Sequence, residues 1–255
     1  MLLALAGVLA FLGSQAHPGL TYDRSVLLAL NGAFAAHPAL SALQMMLFNA
    51  DLAEMVLVAA LVVVWSIGRI RSIGRAELQR LAILACATFA PTYVVCRILQ
   101  HLGHRTRPIV DVPLERFVSP EVWAMMQKGW TGFGSFPSDH AALSALAATI
   151  AFSIDRRAGW VLTIFGAYTA MVRVAIGYHW PSDVVGGFIV GIAVGCAALL
   201  AAPRLRPLLD RVRGSFDRRP WLAYPLAVAF LAEFGHGFER VQMLAHEILH
   251  ARLFH

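Results

Sequence analysis

The sequence predicts an all-α, polytopic membrane protein: a helical bundle with about six transmembrane helices. Of its 255 residues, 58% are hydrophobic and only 14% are charged, and the mean hydropathy is +0.65. An average soluble domain is roughly 45–50% apolar and about 25% charged, so this chain has too little charge to cover the surface of a soluble fold. The composition excludes a cytosolic enzyme, a disordered chain and a fibrous protein.

Five apolar segments approach the length of about 20 residues that a helix needs to cross the bilayer. They are residues 51–67, 80–99, 138–154, 159–177 and 182–202. Two shorter segments leave alternatives open. Residues 1–13 fit either a first span, which we favour, or the apolar region of a signal peptide. Residues 221–233, interrupted by Pro225, fit either a shallow span or an interfacial helix.

The remaining segments predict a single domain. Residues 21–50 have the apolar spacing of a helix–turn–helix, which is typical of a segment that lies along the membrane surface. No internal repeat or low-complexity linker divides the chain, so we expect one integral-membrane domain over 1–255. Within it, 203–255 forms a cytoplasmic or interfacial tail. The sequence leaves the oligomeric state undetermined.

The distribution of arginine predicts the orientation. The net charge is +6, and Lys128 is the only lysine. Most arginines lie in 68–80, in 155–158 and after residue 202, which the positive-inside rule places in the cytoplasm. The loops 100–137 and 177–182 then share the opposite face. We expect no nucleic-acid partner, because the arginines form no continuous basic face.

The first chemically suggestive cluster is Arg105-Thr106-Arg107-Pro108. The arginine side chain suits bidentate recognition of phosphate. Pro108 disfavours the helical region for Arg107, so Arg107 is predicted on extended chain. The alternative is a basic collar whose side chains reach from the end of a span to the lipid headgroups.

The second cluster is Pro137-Ser138-Asp139-His140, which opens an apolar segment. A proline at the first helical position would leave the next amides without intrahelical partners, and together with the helix dipole they would bind an anion. Ser138 adds a hydroxyl, and His140 can exchange a proton near neutral pH. The alternative is a plain helix cap with an incidental histidine.

The third cluster contains Arg173, His179 and Asp183. Asp183 falls in the first turn of the helix that starts at Pro181, from where it can reach back to one nitrogen of His179. The other nitrogen would then be available as a nucleophile. Arg173 is costly near a membrane unless it faces a polar pocket, and the alternative is a structural pair with Asp183.

Together, these residues resemble the three-part signature of the PAP2 (type-2 phosphatidic acid phosphatase) superfamily. That signature is a lysine, six residues and Arg-Pro; Pro-Ser-x-His; and Ser-Arg, five residues, His, three residues and Asp. Here the matches are Arg107-Pro108, Pro137 to His140, and Arg173, His179 and Asp183 at the same intervals. Two positions depart: Gln100 replaces the lysine and Val172 replaces the serine, so Gln100, Arg97 or Arg105 is left as the substitute for the lysine.

The resemblance implies a PAP2-like helical core and a metal-independent hydrolase without a cofactor, acting on a lipid phosphate or diphosphate. In the implied roles, His179 is the nucleophile that forms a phosphohistidine, Asp183 orients it, and His140 transfers protons. Arg107, Ser138 and Arg173 bind the phosphate, and no residue binds metal.

Parts of the chain are similar to bacterial undecaprenyl-diphosphate phosphatases, which implies a bacterial inner-membrane protein with a periplasmic active site. Phosphatidylglycerol phosphate, phosphatidic acid and lipid A are the alternative substrates. The alternative of another class is a non-catalytic lipid-phosphate transporter or scaffold.

Overall fold

The computed structural model describes residues 19–37, 73–103, 105–116, 123–124, 134–219, 221 and 226. Within these ranges the chain forms helices and no strand. The helices are α1 (Gly19–Ala35), α2 (Arg75–Gly103), α3 (Pro108–Asp111), α4 (Asp139–Phe152), α5 (Arg156–Ala175) and α6 (Pro181–Arg218). The predictions for 1–13, 38–50, 51–67 and nearly all of 221–233 lie outside the described residues.

Three of the predicted spans correspond to long apolar helices. Helical segments at Arg75–Asp111, Arg156–Ala175 and Pro181–Arg218 are long and apolar enough to cross a membrane. The predicted span 138–154 is a shorter helix: α4 has 14 residues, or about 21 Å at 1.5 Å per residue. Because the neighbouring helices enclose α4, its ends need not reach the lipid headgroups.

Helix α4 is the centre of the bundle. Nearly all of its side chains are buried, and α2, α5 and α6 pack around it. A helix that is apolar on every side is typical of such a central position. On the surrounding helices, large apolar side chains face outward, as a lipid environment requires: Val95, Ile98, Ile164, Ile192 and Leu200 are exposed.

Glycines bring α6 into backbone contact with α4. A Cβ atom added at Gly187 would lie 2.3 Å from the Ser138 carbonyl oxygen, and one at Gly191 would lie 2.0 Å from the Ala142 carbonyl oxygen. Membrane helices use small residues for this close approach, because packing rather than the hydrophobic effect drives their association. The contact places the N-terminus of α6 beside the N-terminus of α4.

An ion pair joins the other ends of the bundle. Arg80 Nε of α2 lies 2.8 Å from Asp210 Oδ1 of α6. Helix α6 reaches this region because it continues beyond residue 202 to Arg218, through Pro203 and Pro207. At the opposite end, which we call the site end, α2 and α5 finish and α4 and α6 begin.

We predict that Gly191→Leu lowers the thermal stability of the detergent-solubilised protein. The added side chain overlaps the α4 backbone, and overpacking of this kind costs roughly 1–3 kcal/mol or more. The control is Gly214→Ala on the same helix, where the nearest atom to a new Cβ is Arg218 Nη1 at 3.8 Å. The control should unfold at or above the wild-type temperature, and equal midpoints for the two variants would contradict the packing assignment.

Candidate active site

The three clusters predicted from the sequence come together at the site end. Three backbone hydrogen bonds join their segments: Ser135 N–H to the Arg105 carbonyl at 2.8 Å, Ser138 N–H to the Asp183 carbonyl at 3.0 Å, and Ile109 N–H to the Gly177 carbonyl at 2.8 Å. Side chains separated by tens of residues in the sequence are therefore held in one place by the main chain.

Gly177 makes one of these junctions possible. Its φ is +80°, in the region that glycine adopts without steric cost. A Cβ atom there would also lie 2.4 Å from Leu114 Cδ1 and 3.0 Å from the Ile109 amide nitrogen. This turn therefore requires glycine, and the turn carries His179 from the end of α5 to the start of α6.

Asp183 is the most connected residue of the site. It is fully buried, and its Oδ2 accepts a hydrogen bond of 2.7 Å from the Trp180 amide at the start of α6. Its Oδ1 accepts one of 2.9 Å from Arg105 Nη1. Pro181 occupies the first position of α6, so the prediction that Asp183 falls in the first helical turn is confirmed.

Arg105 joins Asp183 to α1. Its Nη2 donates to Asp23 Oδ2 at 2.8 Å, and its Nη1 also donates to Ser182 Oγ at 2.8 Å. Asp23 in turn accepts a hydrogen bond of 3.0 Å from the Ser182 amide. Two buried carboxylates thus surround one buried guanidinium, which offsets the cost of removing these charges from water. Asp23 was missed by sequence reasoning, since only the fold reveals its partners.

His179 is 2% exposed. Its Nδ1 lies 2.9 Å from the Ser135 carbonyl oxygen and 3.7 Å from Asp183 Oδ2. The carbonyl of Ser135 therefore makes the orienting hydrogen bond, and Asp183 contributes a negative charge nearby. Burial lowers the pKa of His179, and it outweighs the contact with Asp183, which raises it. Because the Ser135 carbonyl oxygen can only accept a hydrogen bond, Nδ1 is the donor in this contact.

Arg107 is placed on extended chain, as predicted, with φ −79° and ψ 143° directly before Pro108. Its guanidinium is 3% exposed. It donates to the Tyr178 carbonyl at 3.0 Å and to the Gly134 carbonyl at 3.4 Å. These two contacts hold the arginine between the second cluster, which Gly134 precedes, and the third, which includes Tyr178.

The second cluster differs from the prediction at the helix start. Helix α4 begins at Asp139, with Ser138 as its N-cap, so Pro137 lies before the cap rather than at the first helical position. The prediction that the amides at this helix start are unpartnered is also wrong for two of them. The Ser138 amide donates to the Asp183 carbonyl, and the His140 amide donates to Asp139 Oδ1. Contact with α6 and the acidic side chain at the first position satisfy these groups.

Ser138 caps helix α4 and can still donate a hydrogen bond from its hydroxyl. Its Oγ accepts a hydrogen bond of 3.5 Å from the Ala141 amide, as expected of a helix cap. A hydroxyl has one donor as well as its acceptor lone pairs, so capping leaves the proton for a further acceptor. The residue is completely buried.

His140 has a carboxylate partner that sequence reasoning missed. Its Nδ1 lies 2.8 Å from Asp139 Oδ1, and Arg97 Nη2 lies 3.4 Å from Asp139 Oδ2.

Gln100, at the position of the family's lysine, is fully buried. It donates to the Pro137 carbonyl at 2.8 Å and accepts from Arg97 at 3.2 Å. Of the three candidates for the lysine's place, Arg97 is the cation at the second cluster.

Arg173 lies in the last turn of α5 and is 5% exposed. The arginine that the structure shows paired with Asp183 is Arg105, 2.9 Å away. The second departure from the signature has a packing explanation: Val172 is buried beside Phe34 of α1 and Ala175. An apolar side chain fits this contact, where a serine would need a hydrogen-bond partner.

The model of the PAP2 superfamily matches residues 80–207. The chain belongs to the PAP2 superfamily. Its fold also resembles that of a transmembrane PAP2-type phosphatidylglycerolphosphate phosphatase from Bacillus subtilis. The two superpose with a TM-score of 0.53 at 16% identity, over 80% of this chain and 96% of that one.

Two relatives extend the comparison. Undecaprenyl-diphosphatase BcrC of Bacillus subtilis (strain 168) is 43% identical over 79 residues, which are 31% of this chain and 40% of the relative. Bacitracin transport permease protein BcrC of Bacillus licheniformis is 24% identical over 160 residues, which are 62% of this chain and 70% of the relative. The helical architecture of the described residues and membership of this superfamily confirm the expected all-α membrane fold class. The expected count of about six transmembrane helices includes segments outside the described residues.

We predict that Asp23→Ala destabilises the protein by about 3–5 kcal/mol, because it removes one partner of a buried ion network. The matched control is Asp217→Ala, whose side chain is 43% exposed in its pair with Arg213. The control should cost no more than about 1 kcal/mol. Thermal unfolding in detergent measures both.

Asp23→Asn keeps the shape of the side chain and removes its charge. This variant replaces Asp23→Ala in the measurement if the alanine variant is not expressed in a folded form. A midpoint for the Asp23 variants equal to that of Asp217→Ala would contradict the assignment of Asp23 to the network.

Proposed function

We propose that this protein is a membrane lipid phosphatase that removes the terminal phosphate of a lipid phosphate or diphosphate, with undecaprenyl diphosphate as the favoured substrate. One observation carries the proposal: a buried histidine, His179, is held through Nδ1 at the junction of three segments that also present arginine, serine and a second histidine. These groups are sufficient for phosphoryl transfer without a metal or a cofactor.

In the proposed first step, His179 Nε2 attacks the terminal phosphorus and a nitrogen–phosphorus bond forms. The bond from phosphorus to the leaving oxygen breaks, and His140 gives that oxygen a proton. Positive charge develops on the His179 ring, and the Asp183 carboxylate at 3.7 Å stabilises it. In the second step, water attacks the phosphohistidine, His140 takes a proton from the water, and the nitrogen–phosphorus bond breaks to release phosphate.

The proposed phosphate ligands are Arg107, Ser138 and Arg173, all of them buried at the site end. Charge in phosphoryl transfer spreads over the equatorial oxygens, where preorganised cations and hydroxyl donors stabilise it. The contacts of Arg107 with the Tyr178 and Gly134 carbonyls fix its guanidinium in place. All three residues lie within 80–207, the segment that matches the superfamily, which supports the proposal.

The choice of undecaprenyl diphosphate is supported by the local identity with undecaprenyl-diphosphatase BcrC of Bacillus subtilis. Phosphatidylglycerol phosphate, phosphatidic acid and lipid A are alternative substrates, the first supported by the similar fold of the phosphatidylglycerolphosphate phosphatase. A panel of these lipids, assayed for phosphate release, discriminates among them.

We also propose a bacterial inner-membrane location with the site on the periplasmic side. Arg80, Arg204, Arg206, Arg211 and Arg213 lie on α2 and α6 towards the end opposite the site. The positive-inside rule assigns that end to the cytoplasm. The site end is then extracytoplasmic.

A transporter is the alternative of another class, and the similarity to a bacitracin transport permease protein of Bacillus licheniformis favours it. A transporter would bind the lipid headgroup without breaking a bond. Purified protein in detergent has no second compartment, so phosphate release under these conditions can come only from hydrolysis.

We predict that His179→Ala lowers the rate of phosphate release by several orders of magnitude, because no other group then forms the covalent intermediate. The control is His37→Ala, which removes an exposed histidine and should retain wild-type turnover. The assay measures phosphate from short-chain prenyl diphosphate in detergent with EDTA present. Retained turnover in His179→Ala, or loss of wild-type turnover on adding EDTA, would contradict the proposed chemistry.

We predict that His179 remains neutral below the ordinary histidine pKa of about 6.5, because burial lowers its pKa. The deprotonated, nucleophilic form therefore persists as the pH falls to 6.5 and is lost only at lower pH. Nitrogen chemical shifts of ¹⁵N-histidine-labelled protein report this titration, and the His179 signals are those missing from His179→Ala. A midpoint at or above 6.5 would overturn the prediction.

A further inference from the structure

The most informative feature outside the assigned site residues is a carboxylate beside the second histidine. Asp139 occupies the variable position of Pro-Ser-x-His, and it is 3% exposed. Its Oδ1 accepts the His140 backbone N–H at 2.9 Å and lies 2.8 Å from His140 Nδ1. Burying an unpaired charge costs free energy, so a buried carboxylate requires partners. Asp139 has its partners in His140.

Asp139 is anchored from a second helix. Arg97 of α2 approaches its other oxygen, Oδ2, at 3.4 Å. Arg97 is itself held, with Nε donating to the Tyr93 hydroxyl at 2.7 Å and its guanidinium 4.9 Å above the Tyr93 ring. The carboxylate is thus fixed at both oxygens, one by α2 and the other by the residue that follows it.

Gln100 completes this assembly. It accepts from Arg97 Nη1 at 3.2 Å and donates to the Pro137 carbonyl at 2.8 Å. The neutral residue at the family's lysine position therefore supports the arginine one turn earlier and connects it to the chain before α4. The departure at Gln100 and the acidic residue at position 139 belong to one contiguous hydrogen-bonded unit.

We propose that Asp139, anchored by Arg97, is a positioning residue for His140. Its carboxylate keeps the imidazole proton on Nδ1 and fixes the ring, so that Nε2 is the nitrogen that exchanges a proton with the leaving oxygen and then with water. Such partners of functional histidines set tautomer and orientation. This inference rests on the proposed phosphatase function and deepens it, by assigning a role to a residue outside the six proposed site residues.

Leaving-group dependence gives a sharp kinetic test. Asp139→Ala should lower kcat for a prenyl diphosphate about 10–100-fold, the usual effect of losing a histidine's orienting partner, with KM unchanged. With p-nitrophenyl phosphate, whose leaving oxygen needs little protonation, the loss should be much smaller. Asp139→Asn keeps an oxygen acceptor and should recover part of the activity. Glu77→Gln, which alters a 52% exposed carboxylate at the opposite end, is the control with wild-type kcat.

A double-mutant cycle separates positioning from general structural damage. In a His140→Ala background, the Asp139→Ala substitution should cause no further loss of kcat, because the group that it positions is gone. Additive losses, or equal losses with both leaving groups, would overturn the proposal.

The ¹⁵N signals of the His140 ring test the same idea without turnover. The wild type should show Nδ1 protonated, and Asp139→Ala should shift the ring towards the other tautomer. An unchanged tautomer overturns the inference. If the expected tautomer change appears but the wild type releases no phosphate from any lipid in the panel, the positioning role stands and the proposed function fails.

Discussion

The active-site end of this bundle depends on one carboxylate, that of Asp183. It is fully buried, yet it contacts each of the segments that carry site residues. One oxygen accepts the Trp180 amide at the start of α6, the other accepts Arg105, and the main-chain carbonyl of the same residue accepts the Ser138 amide. A buried charge is tolerated only when it is paired and hydrogen-bonded. The position of Asp183 at a helix N-terminus, facing a guanidinium, supplies both conditions.

The same requirement divides the arginines of the site by function. Arg105 lies between Asp23 and Asp183, so its charge is used to compensate theirs. Arg107 donates hydrogen bonds to the carbonyls of Tyr178 and Gly134, which orient its guanidinium. The two arginines are two residues apart in an Arg-x-Arg-Pro segment and look equivalent as sequence. Their contacts distinguish Arg105, which belongs to the buried ion network, from Arg107, which is the proposed phosphate ligand.

Local chemistry explains what could be predicted from the sequence and what could not. Hydropathy located the long helices of the described chain, and the restriction that Pro108 imposes on Arg107 predicted its extended backbone. The start of α4 was misplaced by local reasoning, because a contact with α6 satisfies the Ser138 amide. Partners distant in sequence stayed out of reach: His179 and Ser135 are 44 positions apart, and Ser182 and Asp23 are 159 apart. No periodicity or spacing encodes such pairs, since they form only when segments distant in the sequence pack together.

The two histidines differ in a way that matches the two roles proposed for them. His179 directs Nδ1 to a neutral carbonyl, with the nearest carboxylate oxygen at 3.7 Å, and burial lowers its pKa. A nucleophile must be neutral before it attacks, and this environment provides that form. His140 has Nδ1 in direct contact with a carboxylate at 2.8 Å, and its side chain is 23% exposed. A charge-assisted hydrogen bond is stronger than one to a neutral acceptor. Two histidines in identical surroundings would give no basis for assigning attack to one and proton transfer to the other. The difference between a carbonyl and a carboxylate partner is what the proposed mechanism uses to distinguish them.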